Sequence, residues 1–264
     1  MKFAEFETFK MAYDEAGSGI PILFIHGYPL NRLMWQPQIE ALQTDAHVIA
    51  PDLRGHGDST PIEGVYSMDL LAEDCEKLLD HLNIQQKIVL CGLSMGGYIS
   101  FAFARKFPER LAGLILTATR AAPDSEEAKL NRQRSMQVAR EQGIEPIIES
   151  MIAKVLSPFT LKNRPELVQT VRQIMQRTSL QAILGDLQGM MERIDSRPFL
   201  KQIAVPTLIL HGKDDTLIPI EEAQAMQAAI PNSQLLIVEN AAHLPNLEAS
   251  ERFNQAVRHF LKTL

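Results

Sequence analysis

Short apolar runs alternate with segments of helical periodicity along most of the chain. The runs predict buried strands near residues 20–25, 47–50, 87–91, 111–117, 207–211 and 234–239. Between them, apolar residues recur three and four positions apart, as after Ser67, where they are Met68, Leu71, Cys75, Leu78, Leu79 and Leu82. Continuous apolar strands separated by amphipathic helices are typical of a parallel sheet covered on both faces. The pattern therefore predicts an α/β fold with a mostly parallel central sheet.

Two segments depart from this alternation. Residues 3–13 alternate between apolar and polar, which predicts an antiparallel hairpin that closes at Gly17-Ser18-Gly19 before the first parallel strand. From Thr119 to Val205, helical patterns follow one another without an intervening strand. We interpret residues 123–198 as a helical cap, inserted into a single α/β core made of residues 1–122 and 199–264.

Apolar stripes in the predicted cap need a surface to cover. One stripe runs from Ile144 to Val155 and another from Leu180 to Met191. Five of the chain's eleven methionines fall in this region: Met136, Met151, Met175, Met190 and Met191. Methionine suits irregular apolar surfaces, so most of the five are expected to pack between helices and a minority to face a bound ligand.

The sequence G-L-S-M-G at residues 92–96 directly follows a predicted strand and precedes a helix-compatible segment. The pattern alone also occurs in flexible loops without chemistry, but this context is typical of a nucleophile elbow, a sharp turn that lifts the Ser94 hydroxyl above the sheet edge. Side chains at Gly92 or Gly96 would crowd the close approach of strand and helix. Ser94 is therefore the candidate nucleophile.

A serine hydroxyl needs a base, and the base needs an orienting carboxylate. Of the seven histidines, His243 fits best because it follows the last predicted strand in a loop ahead of a final amphipathic helix. The others fall at strand ends, in a glycine-flanked turn or at element edges: His26, His47, His56, His81, His211 and His259. Asp215, just after the strand at 207–211, is the candidate acid, with Asp214 as the adjacent competitor. The chain order Ser94, Asp215, His243 is that of the α/β-hydrolase fold.

The oxyanion that forms on attack also needs donors. The N–H of Met95 directly follows the nucleophile, and a second donor is expected from an earlier strand-end loop, F-I-H-G-Y-P at residues 24–29, through the Tyr28 N–H. The His26 side chain is expected to brace this loop rather than to react. The segment D-L-R-G-H-G-D-S at residues 52–59 is interpreted as a structured turn without chemistry.

These motifs resemble those of the α/β-hydrolase superfamily from about Ile20 to the C-terminus. They are F-I-H-G-Y-P, P-D-L-R-G-H-G-D-S, C-G-L-S-M-G-G-Y, G-K-D-D-T-L-I-P and A-A-H-L-P. Within the superfamily, H-G-x-x-x-x-x-x-M-W and G-L-S-M-G-G are similar to the small carboxylesterase and lactonase branch that includes 3-oxoadipate enol-lactonases. The resemblance implies Ser94 as nucleophile, Asp215 as acid and His243 as base, with backbone oxyanion donors at Tyr28 and Met95.

Charge, the N-terminal residues and the cysteine content limit the partners, location and metal sites that the sequence predicts. The formal charge is −6 and no long basic run occurs, which argues against nucleic-acid or anionic-membrane binding. The first seven residues alternate and are acidic, unlike a signal peptide, so a cytoplasmic location is expected. Cys75 and Cys91, the only two cysteines, suggest neither a disulfide framework nor a thiolate metal site.

The sequence as a whole predicts a serine hydrolase that needs no metal or cofactor and cleaves small carboxylic esters or lactones through an acyl-enzyme on Ser94. The same three side chains could also serve C–C bond hydrolysis or acyl transfer to peroxide or an alcohol. A ligand-binding receptor with weak hydrolase activity is a further alternative. The substrate and the oligomeric state are left open by the sequence.

Overall fold

The computed structural model describes residues 1–264 and contains one eight-stranded sheet, in the order β1-β2-β4-β3-β5-β6-β7-β8. The strands are β1 (Lys2–Glu5), β2 (Lys10–Ala16), β3 (Pro21–Ile25), β4 (His47–Pro51), β5 (Ile88–Leu93), β6 (Leu111–Thr117), β7 (Thr207–Gly212) and β8 (Ser233–Val238). Strands β3 to β8 are parallel to one another, while β1 pairs with β2, and β2 with β4, in antiparallel fashion. The predicted α/β class with a mostly parallel sheet is confirmed.

Helices cover both faces of the sheet. They are α1 (Gln36–Leu42), α2 (Met68–His81), α3 (Met95–Lys106), α4 (Glu126–Gln142), α5 (Glu145–Val155), α6 (Pro158–Asn163), α7 (Pro165–Met175), α8 (Leu180–Glu192), α9 (Ile220–Ala229), α10 (Pro245–Glu248) and α11 (Ser250–Leu261). Three short 3₁₀ helices complete the set, at Arg32–Trp35, Pro108–Arg110 and Arg197–Gln202. Serine hydroxyls accept hydrogen bonds from the first-turn N–H groups of several helices, at Ser67, Ser125, Ser157 and Ser179.

Two local predictions differ from the structure. The N-terminal hairpin is present, but its turn lies at residues 6–9, where the Phe6 N–H donates to the Phe9 carbonyl, and not at the glycines. Gly17 and Gly19, with φ of 78° and 106°, instead carry the chain from β2 towards β3. Strand β5 also continues to Leu93, beyond the predicted end at residue 91, because its last residues pair with the end of β6.

Helices α4 to α8, which we call the cap, lie between β6 and β7, where the sequence predicts an insertion. The apolar stripe of α5 is divided between two hydrophobic clusters. Ile148, Ile152 and Val155 join the cluster that contains Trp35, whereas Ile147 joins the cluster on the other side, together with the buried stripe residues of α8. The exact cap boundaries, 123–198, stay a prediction.

The turn at residues 52–59 fixes cap helix α8 to the core. His56 is fully buried, and its Nε2 lies 2.8 Å from Asp186 Oδ2 of α8. The backbone adds two further links, from the Ser179 N–H to the Gly55 carbonyl and from the Tyr66 N–H to the Gly185 carbonyl. The segment predicted to be a structured turn thus also attaches the cap to the core.

No helix of the structure is both long and apolar enough to cross a bilayer.

Candidate active site

Ser94 lies on a strained turn between β5 and α3. Its φ of 55° and ψ of −113° fall in a region that side chains other than glycine rarely occupy, as expected at a nucleophile elbow. The turn is fixed by backbone groups, because the Ser94 N–H donates to the Thr117 carbonyl at 2.9 Å and the Ser94 carbonyl accepts from the Thr119 hydroxyl at 2.8 Å. The strained conformation of Ser94 is therefore held by groups at the end of β6 and in the loop just after it.

Glycines allow the chain segments at the elbow to approach one another. A Cβ on Gly92 would collide with the Gly96 carbonyl oxygen, and a Cβ on Gly96 would collide with the carbonyl oxygen of Ile25, the last residue of β3. Both collisions involve backbone atoms, which cannot move aside as a flexible side chain can. The prediction that a side chain at either position would crowd the strand–helix approach agrees with this geometry.

Asp215 and His243 meet at the same edge of the sheet, in the loops after β7 and β8. His243 Nδ1 lies 2.8 Å from Asp215 Oδ2, and both side chains are almost fully buried. The other Asp215 oxygen accepts from the N–H groups of Leu217 and Ile218, which fixes the carboxylate within its loop. Burial raises the pKa of Asp215, but the His243 ring and the Ile218 N–H outweigh burial and hold this pKa below its ordinary value.

The competitor Asp214 is placed differently. Its side chain is exposed, and only its backbone N–H has a partner, the Ala241 carbonyl at 2.9 Å. His243 Nε2 is buried without a hydrogen-bond partner, and Ser94 makes no side-chain hydrogen bond. The structure thus pairs Asp215 with His243 directly. Ser94 lies two strands from Asp215 along the same edge, and the catalytic roles of all three stay predictions.

The loop that carries Tyr28 is braced by a neutral histidine. His26 Nδ1 donates to the Gly27 carbonyl at 3.0 Å, and His26 Nε2 accepts from the Leu53 N–H at 3.0 Å. Burial and the neighbouring His56 ring hold the pKa of His26 well below its ordinary value, which agrees with one donor and one acceptor nitrogen. The bracing role expected of His26 agrees with these contacts.

Two backbone donors of the predicted oxyanion hole are free in this arrangement. Neither the Tyr28 N–H nor the Met95 N–H donates to another group of the protein. Met95 is the first residue of α3, where helix N–H groups have no intrahelical acceptor and the helix dipole favours negative charge. Both groups are therefore able to bind an oxygen anion beside Ser94.

A cavity of about 360 Å³ opens over Ser94 beneath the cap. Its apolar lining includes two of the five cap methionines, Met151 and Met190, so a minority of them face this space, as predicted. The other apolar residues are Tyr28, Tyr98, Ala128, Ile147, Leu187, Leu217 and Ile218, and the polar ones are Arg120, Asn131, Arg132, Ser135, Ser150 and Lys154. The volume suits a small to medium organic molecule.

Glu248 connects the His243 loop to the cap and was not found from the sequence. One of its carboxylate oxygens accepts from the Ala242 N–H at 2.7 Å, and the other accepts from the Ser157 N–H at 2.8 Å. Its backbone carbonyl accepts from Arg164 of the cap at 2.8 Å. A glutamate five residues after a histidine has no distinctive pattern, because both N–H partners are set by tertiary packing.

This sheet, its elbow and the loops at its carboxyl edge are the features of an α/β hydrolase. A family model described as "alpha/beta hydrolase fold" matches residues 20–250, and the chain belongs to this family. It is 33% identical over 241 residues to 3-oxoadipate enol-lactonase 2 of Acinetobacter baylyi, covering 91% of this chain and 88% of the relative.

Solved structures show the same relationship. A thermophilic esterase from Thermogutta terrifontis, with malate bound, is 45% identical and superimposes with a TM-score of 0.94 over 97% of this chain and 94% of the esterase. The enol-lactonase from Burkholderia xenovorans is 25% identical, with a TM-score of 0.89 over 99% of this chain and 100% of the lactonase. The predicted branch of small esterases and lactonases is confirmed, and the chain belongs to the carboxylic ester hydrolases.

Proposed function

We propose that the protein hydrolyses carboxylic esters or lactones through an acyl-enzyme on Ser94, with His243 as general base and Asp215 as the orienting acid. The observation that carries this proposal is the buried Asp215–His243 pair, whose free Nε2 lies at the same sheet edge as the serine elbow. Asp215 keeps the proton of His243 on Nδ1, so that Nε2 is left to accept a proton.

In the first half-reaction, Ser94 Oγ attacks the carbonyl carbon while His243 Nε2 takes the hydroxyl proton. The carbonyl oxygen becomes an anion, and the N–H groups of Tyr28 and Met95 stabilise it. Loss of one such donor typically lowers the rate by about 100- to 1,000-fold. When the tetrahedral intermediate collapses, the C–O bond to the alcohol breaks, and His243 gives its proton to the departing oxygen.

In the second half-reaction, His243 takes a proton from water, and the hydroxide attacks the acyl carbon. Collapse of the second tetrahedral intermediate releases the acid and returns the proton to Ser94. For a lactone, the departing alcohol stays attached to the acyl chain, so one hydroxy acid is the product. Apart from water and the substrate, the groups that react or bind in these steps are side chains and backbone N–H groups of this chain.

A panel of substrates tests this proposal. Purified protein would be assayed for proton release on linear esters of graded acyl length and on lactones, including enol-lactones and acyl-homoserine lactones. We expect turnover of at least one group. After rapid quenching of the reaction with an activated ester, the intact mass should show one acyl group per protein, and peptide mapping should place it on the Ser94 peptide. Hydrogen peroxide and alcohols, added as competing acceptors, distinguish acyl transfer from hydrolysis.

No proton release on any member of the panel would contradict the proposal. It would favour C–C bond hydrolysis or a ligand-binding receptor. Tight ligand binding without turnover would favour the receptor over the C–C bond hydrolase.

A cytoplasmic location and the absence of nucleic-acid partners stay predictions from the sequence.

Glu248→Gln is expected to lower kcat by up to about 100-fold with a small change in KM, because a displacement near 1 Å at the catalytic histidine is sufficient for such a loss. The carboxylate of Glu248 accepts hydrogen bonds from two backbone N–H groups, but the amide of glutamine has one oxygen and can accept from only one of them. Its NH₂ group, a donor, then faces the other N–H group. Steady-state kinetics on a neutral ester and thermal unfolding would both be measured.

The matched control is Glu251→Gln, an exposed position in the first turn of α11, which should keep wild-type kinetics. A fall in thermal stability of Glu248→Gln with unchanged kcat would mean that Glu248 holds the cap and does not position His243.

A further inference from the structure

The cavity over Ser94 has an unbalanced positive charge. Its lining contains Arg120, Arg132 and Lys154 but no aspartate or glutamate. Arg120 follows β6, Arg132 lies on α4, and Lys154 is exposed on α5. The three cations therefore come from the core and from two helices of the cap.

A buried aspartate fixes the two arginines in place. Asp124 has no exposed side-chain surface, and it pairs with Arg120 Nη2 at 3.1 Å, with Arg132 Nε at 2.5 Å and with Arg193 Nη1 at 2.7 Å. Three guanidinium groups against one carboxylate leave this cluster with two positive charges in excess. Held by Asp124, Arg120 and Arg132 lose little side-chain freedom when a ligand binds.

Donors around the cavity have no acceptor within the protein. Arg120 Nε and the Tyr28 hydroxyl are buried without hydrogen-bond partners, and Tyr28 is only 7% exposed. Arg132 uses Nε and Nη2 on Asp124 and leaves Nη1 unpaired. Burial raises the pKa of the Tyr28 phenol far above its ordinary value, so the hydroxyl stays a donor. Buried polar groups are nearly always paired, so the two buried donors require an acceptor, and together with Arg132 Nη1 they suit an anion with several acceptor positions.

No carboxylate on the surrounding elements forms a hydrogen bond with these three donors. Asp186 of α8 pairs with His56 through Oδ2, its Oδ1 is buried without a hydrogen-bond partner, and burial raises the pKa of this aspartate. Asp69 and Glu192 line a smaller neighbouring cavity that also includes Arg120, and Asp69 is paired with an arginine of α3. None of the three lines the Ser94 cavity.

We propose that Arg120, Arg132 and the Tyr28 hydroxyl bind a carboxylate of the substrate. The enzyme then acts on esters or lactones that bear a free carboxylate away from the scissile bond, such as half-esters of short dicarboxylic acids. This inference rests on the proposed function, because the carboxylate subsite and Ser94 share one cavity. Because hydrogen bonds to charged groups are strong, we expect the substrate carboxylate to raise kcat/KM by about 10- to 100-fold over a substrate that lacks it.

The test compares monomethyl and dimethyl esters of succinic, glutaric and adipic acids. For at least one chain length, kcat/KM of the half-ester should exceed that of the diester by about tenfold or more, and added sodium chloride should lower this ratio. Arg120→Gln should lower the ratio about tenfold, whereas Arg140→Gln, an exposed change on α4, should keep it at the wild-type value. A wild-type preference for the diester, or an equal loss on both esters in Arg120→Gln, would overturn the subsite.

Calorimetry separates this inference from the proposed function. Glutarate would be titrated into Ser94→Ala and into Ser94→Ala/Arg120→Gln, where we expect about tenfold weaker binding in the double variant. Diester turnover without glutarate binding would overturn the subsite and leave the hydrolase proposal intact. Glutarate binding without turnover of any ester would support the subsite and contradict the hydrolase proposal.

Discussion

Ser94→Ala is expected to lower kcat for ester hydrolysis by about a million-fold, to the level of hydrolysis promoted by binding and oxyanion donors alone. The methyl group cannot form an ester bond, so no acyl-enzyme can accumulate. The change removes one oxygen from a residue that makes no side-chain hydrogen bond, and we expect the free energy of unfolding to change little. Kinetics on the best substrate of the panel would be combined with urea unfolding of both proteins.

Ser100→Ala serves as the control for loss of a serine hydroxyl in the same region. Ser100 lies six residues further along the chain, in α3, where its hydroxyl donates to the Gly96 carbonyl and does not line the cavity. This variant should keep kcat within a few-fold of wild type. Substantial turnover by folded Ser94→Ala would show that another group attacks the ester and would remove the basis of the acyl-enzyme proposal.

Asp215→Asn is expected to lower kcat by about ten thousand-fold, because the amide reverses the hydrogen bond to His243. The Asn oxygen can still accept from the N–H groups of Leu217 and Ile218, so the loop keeps its shape. Its NH₂ group then faces His243 Nδ1, which must become the acceptor, and the ring proton moves to Nε2. In that tautomer Nε2 cannot take the proton of Ser94.

Asp214→Asn provides the comparison for Asp215→Asn, because it makes the same chemical change one residue earlier. Asp214 is exposed and its side chain has no partner, so kcat should stay within a few-fold of wild type. Steady-state kinetics and circular dichroism of both variants would be compared. A larger loss in Asp214→Asn than in Asp215→Asn would show that the acid has been assigned to the wrong residue.

Much of the sheet could be predicted because its strands are buried on both faces and therefore form continuous apolar runs. β3 is an example, with all five residues buried. Local errors occurred where pairing between strands decides the outcome. The end of β5 depends on the partner residues of β6, and the hairpin turn at residues 6–9 contains no glycine or proline to mark it.

The candidate site was predictable where a motif and a strand end coincide, as at Ser94, Asp215 and His243. Glu248 and Asp124 were not, because each acts on groups brought together by folding of the cap. The Glu248 carboxylate bonds the N–H of Ser157, which is distant in the chain, and Asp124 gathers arginines from three separate segments. The periodicity of a helix indicates which face is buried but not which helix it meets.

The close contact between Gly96 and β3 has an evolutionary consequence. Every single-nucleotide change of a glycine codon that alters the residue adds a Cβ, and at this position the Cβ meets the Ile25 carbonyl oxygen. Single substitutions of Gly96 therefore cannot change the spacing between the elbow and β3, the strand that leads to Tyr28, without a backbone collision. Met151 and Met190 on the cap face open space and can change size one substitution at a time. Descendants of this enzyme can diversify their substrates from the cap while inheriting the geometry of the elbow unchanged.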